Sequence, residues 1–259
     1  MRRVPTKRCE PAARKTERQT KHQQGQFARK LGKRRIAVRS DFAVVATEGF
    51  NPEKVRSLKE GMEHPLGRTV LCGVVLDRDY RGRAECTEVE RALVQISEFC
   101  TIHECKEIEN FVLVPPAIER LIQRRIEERR KRGGSVLEFA GSVGEMLGQF
   151  CDEKKSYVLS QFTERYKAHE RKCRSTHEAT LIQEALEEFD KRWSDTSERL
   201  RLVPGKEALA WLNAKIQPDY KVSISASGIV DVMRLDEVPN DMKKLIDQME
   251  AFAATPPPN

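Results

Sequence analysis

Two groups of acidic residues each follow directly on a stretch that reads as a buried β-strand. The first lies in Asp77-Arg78-Asp79-Tyr80-Arg81, after Thr69 to Leu76 (TVLCGVVL), an uncharged run rich in β-branched residues. Two Asp side chains two positions apart can turn toward one centre as the backbone leaves the pleat. A hard cation such as Mg²⁺ takes a few carboxylates and retains water. The second group, Glu107-Ile108-Glu109, follows the next candidate strand, Phe99 to His103. Neighbouring parallel strands lie about 5 Å apart, so acids at the ends of both can converge on one or two Mg²⁺ or Mn²⁺ ions. Four carboxylates at one edge repel one another, a cost that bound cations remove. The competing structural readings are a solvated turn for the first group and the acidic first turn of an exposed helix for the second.

The elements that must hold these residues follow from hydrophobic patterning. Phe42 to Ala46 (FAVVA) reads as a strand, Pro52 to Met62 as a helix, and Thr69 to Leu76 as a second strand. Glu85 to Glu98 has Val89, Leu93 and Ile96 at helical spacing, and Phe99 to His103 returns to the sheet. Alternation of apolar strands with helices predicts an α/β fold, a parallel sheet of at least three strands flanked by helices, over residues 40–132. After Pro115-Pro116 the period turns helical, with Ile118, Leu121, Ile122 and Ile126 on one face and a break at Gly133-Gly134. Helices are expected at about 135–149, 152–172 and 178–199, then at Lys206 to Lys215 and Asn240 to Phe252, with a short strand at Lys221 to Ile224. These make residues 133–252 a mostly helical domain, followed by a tail at 253–259.

Composition bounds the rest. The chain has 259 residues, 39% hydrophobic and 34% charged, with a formal charge of +7. Residues 1–39 hold 14 Lys or Arg against Glu10 and Glu17, so the positive charge belongs to the N-terminus, which reads as an unfolded basic arm. The remainder is net acidic. No apolar run is long enough to span a bilayer and no secretory signal is visible, which places the chain in the cytoplasm without a membrane partner. Its seven cysteines are scattered, with no CxxC pair, and read as reduced thiols.

Other constellations carry less. Asp77, Asp79, Gly82 and Glu88 fall on positions 1, 3, 6 and 12 of a calcium loop, but Arg81 occupies position 5 and a strand replaces the flanking helix. Cys100, His103 and Cys105 suggest zinc, yet strand alternation sends neighbouring side chains to opposite faces. His169, Cys173 and His177 recur every four residues and would share one face of a continuous helix. Arg124, Arg125, Arg129, Arg130, Lys131 and Arg132 form a basic helix end suited to phosphate contacts; Glu127 and Glu128 offer intrahelical partners instead.

LDRDYR (76–81), KEIENFVLVPPAI (106–118) and the distal LVPGKEAL (202–209) together resemble the TOPRIM nuclease part of the OLD (overcoming lysogenization defect) endonucleases, over roughly residues 40–252. The resemblance implies a TOPRIM sheet followed by a helical region, and metal-dependent cleavage of DNA, often in defence against phage. It assigns Asp77 and Asp79 to the metal-binding DxD, Glu109 with Glu107 beside it to the later acidic site, and Lys206 to a lysine acting at the scissile phosphate. Arg78, Arg81, Arg124, Arg125, Arg129 and Arg130 become candidates for DNA contacts. Two features depart from the family. The first acid of a TOPRIM site would fall near Glu17, after a segment too charged to be a buried strand, and no GxxxxGK[ST] phosphate loop occurs, so no nucleotide site is expected. The chain therefore resembles the distal part of a larger enzyme, with a separate ATPase chain as an implied partner and a homo-oligomeric assembly. Two functions follow as expectations: a Mg²⁺- or Mn²⁺-dependent DNA endonuclease, or a non-catalytic nucleic-acid-binding or assembly subunit that keeps the motifs without the first acid. An aspartyl phosphotransferase of the haloacid dehalogenase kind also has DxD after a strand, but Tyr80-Arg81 fits its pattern poorly.

Overall fold

The computed structural model describes residues 23–38, 43–45, 51–135 and 137–256. In chain order these form α1 (residues 23–30), α2 (Arg34–Val38), α3 (Pro52–Leu66), β1 (Gly73–Leu76), α4 (Arg83–Leu93), β2 (Phe99–Ile102), a 3₁₀ turn (Ile108–Val112), α5 (Pro115–Lys131), α6 (Val143–Cys173), α7 (Glu178–Trp193), α8 (Thr196–Leu202), α9 (Gly205–Tyr220), α10 (Ala226–Val232) and α11 (Asn240–Ala254). The α/β character is present but small. β1 and β2 pair in parallel, Gly73 opposite Phe99 and Leu76 opposite Ile102, and are the two strands of the sheet among the described residues. α4 supplies the crossover that a parallel pair requires.

The sheet is shorter than the sequence suggests. Residues 69–72 of the expected second strand lie outside β1, and 43–45 of the expected first strand are in no regular structure; residues 42 and 46 lie outside the described residues. Lys221 to Ile224 is also not a strand: Val222 and Ile224 are buried as an irregular segment between α9 and α10. An apolar run secures neither burial nor pairing by itself: Ala43 and Val45 are exposed, whereas Val222 and Ile224 are buried without forming a strand, which requires a hydrogen-bonding neighbour.

Helix limits follow their caps. Asn51 accepts from the Glu53 N–H at the start of α3, and Ser142 accepts from the Glu145 N–H at the start of α6. α5 ends where Gly133 takes φ +80°, a conformation cheap for glycine. α6 runs unbroken through Cys151-Asp152, where the sequence predicts a break between two helices; Gly144 and Gly148 lie within it and no proline interrupts it. The expected helix at 178–199 is instead two, since Asp195 accepts from the Ser197 and Glu198 N–H groups and starts α8.

Two apolar clusters hold these elements. A small one joins Val55 of α3, Val74 and Leu76 of β1, Cys86 and Leu93 of α4 and Ile102 of β2. The large one extends from Phe27 to Met249 and includes Ile108, Phe111 and Val112 of the 3₁₀ turn. Part of the segment read as an unfolded arm belongs to it. Phe27, Ala28 and Ile36 are buried, Lys33 pairs with Asp247 at 2.7 Å, and Lys30 donates to the Asp231 carbonyl at 2.7 Å. Positive charge masks the apolar spacing of Phe27, Leu31 and Ile36 in that segment; residues 1–22 lie outside the described residues.

The 3₁₀ turn is locked to the α8–α9 junction. The Asn110 amide donates to the carbonyls of Leu200 (2.6 Å) and Val203 (2.8 Å), and its oxygen accepts the Glu107 N–H at 3.1 Å. Gly205 completes the fit: a Cβ there would stand 2.7 Å from the Asn110 nitrogen and 2.9 Å from the Glu109 carbonyl carbon. Replacing Gly by Ala usually stabilises a helical position by ~0.5–1 kcal/mol, but the backbone overlap costs about 1–3 kcal/mol. Gly205→Ala should therefore lower the urea midpoint with an unchanged m-value; an equal or higher midpoint would contradict this packing.

Candidate metal centre

The turn after β1 and the turn after β2 are sewn together at the carboxyl edge of the sheet. The His103 N–H donates to the Leu76 carbonyl at 2.9 Å, continuing the parallel ladder by one residue. Asp79 then adopts φ +52°, in the left-handed region that Asp tolerates better than most residues, and its N–H donates to the Lys106 carbonyl at 2.9 Å. These bonds carry Asp77 and Asp79 to the side of the sheet where Glu107 and Glu109 begin the 3₁₀ turn. Such an edge is where open α/β sheets bind ligands.

Lys206, at the start of α9, enters from the helical layer. Its ammonium lies 3.7 Å from Glu107 Oε2 and 3.8 Å from Glu109 Oε1, and its N–H donates to Glu107 Oε1 at 3.4 Å. The structure thus brings together the five residues singled out for chemistry, Asp77, Asp79, Glu107, Glu109 and Lys206. Glu107 and Glu109 are buried, yet Glu109 Oε2 has no hydrogen-bond partner among the described residues. An unsatisfied buried carboxylate oxygen is costly and suits a site that accepts a cation.

The electrostatics reflect crowding. Burial, followed by the charges of Asp79, Glu109 and Glu107, pushes Asp77 up to about 7, against the opposing pull of Lys206. Burial also raises Glu109, with Lys206 acting in the other direction. The donor set of carboxylates fits a hard divalent ion of the Mg²⁺ or Mn²⁺ class. Asp79 is held by Arg81 at 2.7 Å and Glu107 lies 3.6 Å from Lys106.

The arginines read as candidates for DNA contacts divide into two settings. Arg78 and Arg81 are largely buried; Arg78 pairs with Glu104 at 3.0 Å, while Arg81 pairs with Asp79 and approaches Glu85 at 3.4 Å. They brace the turn instead of offering free charge to solvent. On α5, Arg124 and Arg125 share Glu128 at 2.9 and 3.1 Å, and Arg130 lies 3.6 Å from both Glu127 and Glu138. Arg129 lies in the same helix end, roughly 20 Å along the axis from the start of α5. It lines an open groove with Arg125, Arg132 and Lys221.

Three neighbours were not assigned to this centre from the sequence. His103 is fully buried edge-to-face against Phe111, with Nε2 3.9 Å from Asp77 Oδ1, and burial lowers it to about 4, so it is neutral at pH 7. Lys106 places its ammonium 5.4 Å from the centre of the Tyr80 ring. Tyr157 of α6 faces them across a groove of about 470 Å³ that also contains Asp79, Tyr80 and Arg165. Only the adjacency of Lys106 to Glu107 offered a hint in the sequence.

Between pH 3.8, the ordinary Asp value, and about 7, the folded chain keeps a proton on Asp77 that the unfolded chain has lost. Without divalent ions, this contribution makes stability fall as pH rises across that window. His103 works oppositely between about 4 and its ordinary 6.5, so the difference between wild type and Asp77→Asn isolates the carboxyl. Urea unfolding across the window should give a wild-type minus Asp77→Asn stability difference that declines toward pH 7. A flat difference would contradict the raised value.

Compared with known proteins, the chain matches no family model, no curated protein and no solved structure.

Proposed function

We infer that the chain is a divalent-metal-dependent nuclease hydrolysing DNA phosphodiester bonds, of the TOPRIM type that its LDRDYR and KEIENFVLVPPAI motifs resemble. The reading rests on one observation: four carboxylates and Lys206, drawn from three separate stretches of chain, meet at the carboxyl edge of a parallel strand pair. Asp77, Asp79 and Glu109 would hold Mg²⁺ or Mn²⁺, with Glu107 supporting them. When bound, such an ion polarises the phosphodiester and lowers the pKa of water.

The protein's own contribution is positioning and charge. Asp77 must give up its proton on metal loading, which favours loading above about pH 7. Lys206 is fixed at its base by α9 and aimed by Glu107 and Glu109, so its ammonium can face the non-bridging oxygens where negative charge accumulates during in-line displacement. The groove lined by Asp79, Lys106 and Tyr157 gives a strand a path to the acids, with the exposed Tyr157 ring suited to stacking on a base. In this reading the protein resembles the nuclease portion of an OLD endonuclease, for which a separate ATPase chain would be the partner and phage or mobile-element DNA the target.

The second reading, a non-catalytic nucleic-acid-binding or assembly subunit, draws on the internal ion pairs. Arg81 takes Asp79, while Lys106 and Lys206 flank Glu107, so part of the acidic charge is neutralised by the protein itself. Incubation with supercoiled and linear DNA in Mg²⁺ or Mn²⁺ separates the two. A nuclease should cut, with cleavage abolished by EDTA, Asp77→Ala and Glu109→Ala, and Lys206→Ala should slow it by about 10²- to 10³-fold. No cleavage above the Asp77→Ala background, with salt-sensitive retardation of DNA in a gel, would establish the binding subunit instead.

A further inference from the structure

Away from the acidic centre, a histidine, a cysteine and a glutamate meet at the end of the longest helix. His169 and Cys173 occupy i and i+4 in the last turns of α6, and Glu88 reaches them from α4. Their ligand atoms all lie within 4.8 Å of one another. His169 Nε2 is 3.2 Å from Glu88 Oε2 and 3.7 Å from Cys173 Sγ. Around a tetrahedral Zn²⁺, metal–ligand bonds of 2.0–2.3 Å place ligand atoms about 3.3–3.6 Å apart. The two separations are close to that spacing without rearrangement.

The support behind the histidine strengthens the case. Nδ1 lies 3.3 Å from Glu170 Oε1, and Glu170 is itself held by Arg174 at 2.6 Å. An imidazole that donates Nδ1–H to a carboxylate turns its Nε2 lone pair outward, the tautomer used by metal-ligating histidines. That lone pair then faces another acceptor, the Glu88 carboxylate, an arrangement unfavourable unless a cation or a proton lies between them. His177 does not join the group. α6 ends at Cys173, and His177 Nδ1 instead accepts the Ala179 N–H at the start of α7.

We propose that Glu88, His169 and Cys173 form a zinc site, with Glu170 orienting the histidine and solvent in the fourth position. Thiolate and imidazole select a borderline metal over Mg²⁺, so this site differs in chemistry from the carboxylate centre and does not depend on the nuclease reading. Its position gives it a structural role. One turn before Glu88 on α4, Glu85 already forms a two-pronged ion pair with Arg165 of α6, Arg165 Nε lying 3.0 Å from Glu85 Oε2. Zinc would add a second bracket between α6 and the helix that follows the Asp77–Asp79 turn.

Cobalt titration of the full chain, reduced, free of affinity tags and stripped of metal, tests this directly. One equivalent of Co²⁺ per chain should give thiolate-to-cobalt charge transfer and the visible bands of a tetrahedral ion, both displaced by Zn²⁺ and unaffected by Mg²⁺. Cys173→Ser should abolish the charge-transfer band with the far-UV circular dichroism spectrum intact, since Cys173 is exposed. Glu170→Gln should weaken Zn²⁺ binding by about 10- to 100-fold. Absence of the band in the wild type, or its persistence in Cys173→Ser, would overturn the proposal and leave His169 as a hydrogen-bonding bridge between Glu88 and Glu170.

Discussion

The candidate centre depends on the seating of one short turn against the junction of two helices. Asn110 uses its amide to satisfy two carbonyls at the end of α8 and its oxygen to close the turn on Glu107. The Lys106 N–H adds a bond to the Arg201 carbonyl at 2.8 Å, and Gly205 allows backbone to meet backbone. Buried amide hydrogen bonds of this kind are worth about 1 kcal/mol each when made and more when one partner is stranded. Their main effect is geometric. They place the first residue-pair of α9 beside Glu107 and Glu109, so the position of Lys206 is an outcome of backbone docking and requires no long, flexible reach.

The same docking makes the centre a meeting of two apolar clusters. The small cluster beneath β1, β2, α3 and α4 carries Asp77 and Asp79. Ile108, Phe111 and Val112 anchor the turn with Glu107 and Glu109 in the large cluster, which the helices dominate. Bonds between the two turns hold one set of acids against the other, at an electrostatic cost visible in Asp77, which burial and then the charges of Asp79, Glu109 and Glu107 raise. Lys206, Lys106 and Arg81 offset part of that cost. A divalent cation would offset more, and Glu109 Oε2, without a hydrogen-bond partner among the described residues, marks where compensation is incomplete.

Long α6 serves as the common wall. Its buried residues Val143, Leu147, Phe150, Cys151, Val158 and Phe162 face the core, while Phe162 also meets Phe189 of α7 at 5.8 Å. Farther along, Arg165 and His169 turn toward α4. The groove beside the acids and the Glu88–His169–Cys173 group therefore share one helix as backing, which ties the stiffness of α6 to the position of the Asp77–Asp79 turn. α6 is also the scaffold that makes distant residues neighbours: 81 positions separate Glu88 from His169.

Local chemistry was legible in the sequence wherever one short segment decides it. An uncharged β-branched run marks β1, and acids leaving it mark the edge where the candidate centre lies. Leu181, Ala185, Phe189 and Trp193 at four-residue spacing mark α7, and Asp77, Asp79, Glu107 and Glu109 stand out because charge directly after an apolar strand is conspicuous. Charge density hid the buried face of residues 27–36, and apolar runs overstated the sheet because a run of apolar residues does not name a pairing partner. What only the tertiary structure decided was which faces meet: that Arg78 and Arg81 turn inward, that Asn110 seats α9, and that His103 backs Asp77. Periodicity specifies the apolar side of each element. The partner of that side is set by packing and hydrogen bonding summed over the whole chain, which no single segment contains.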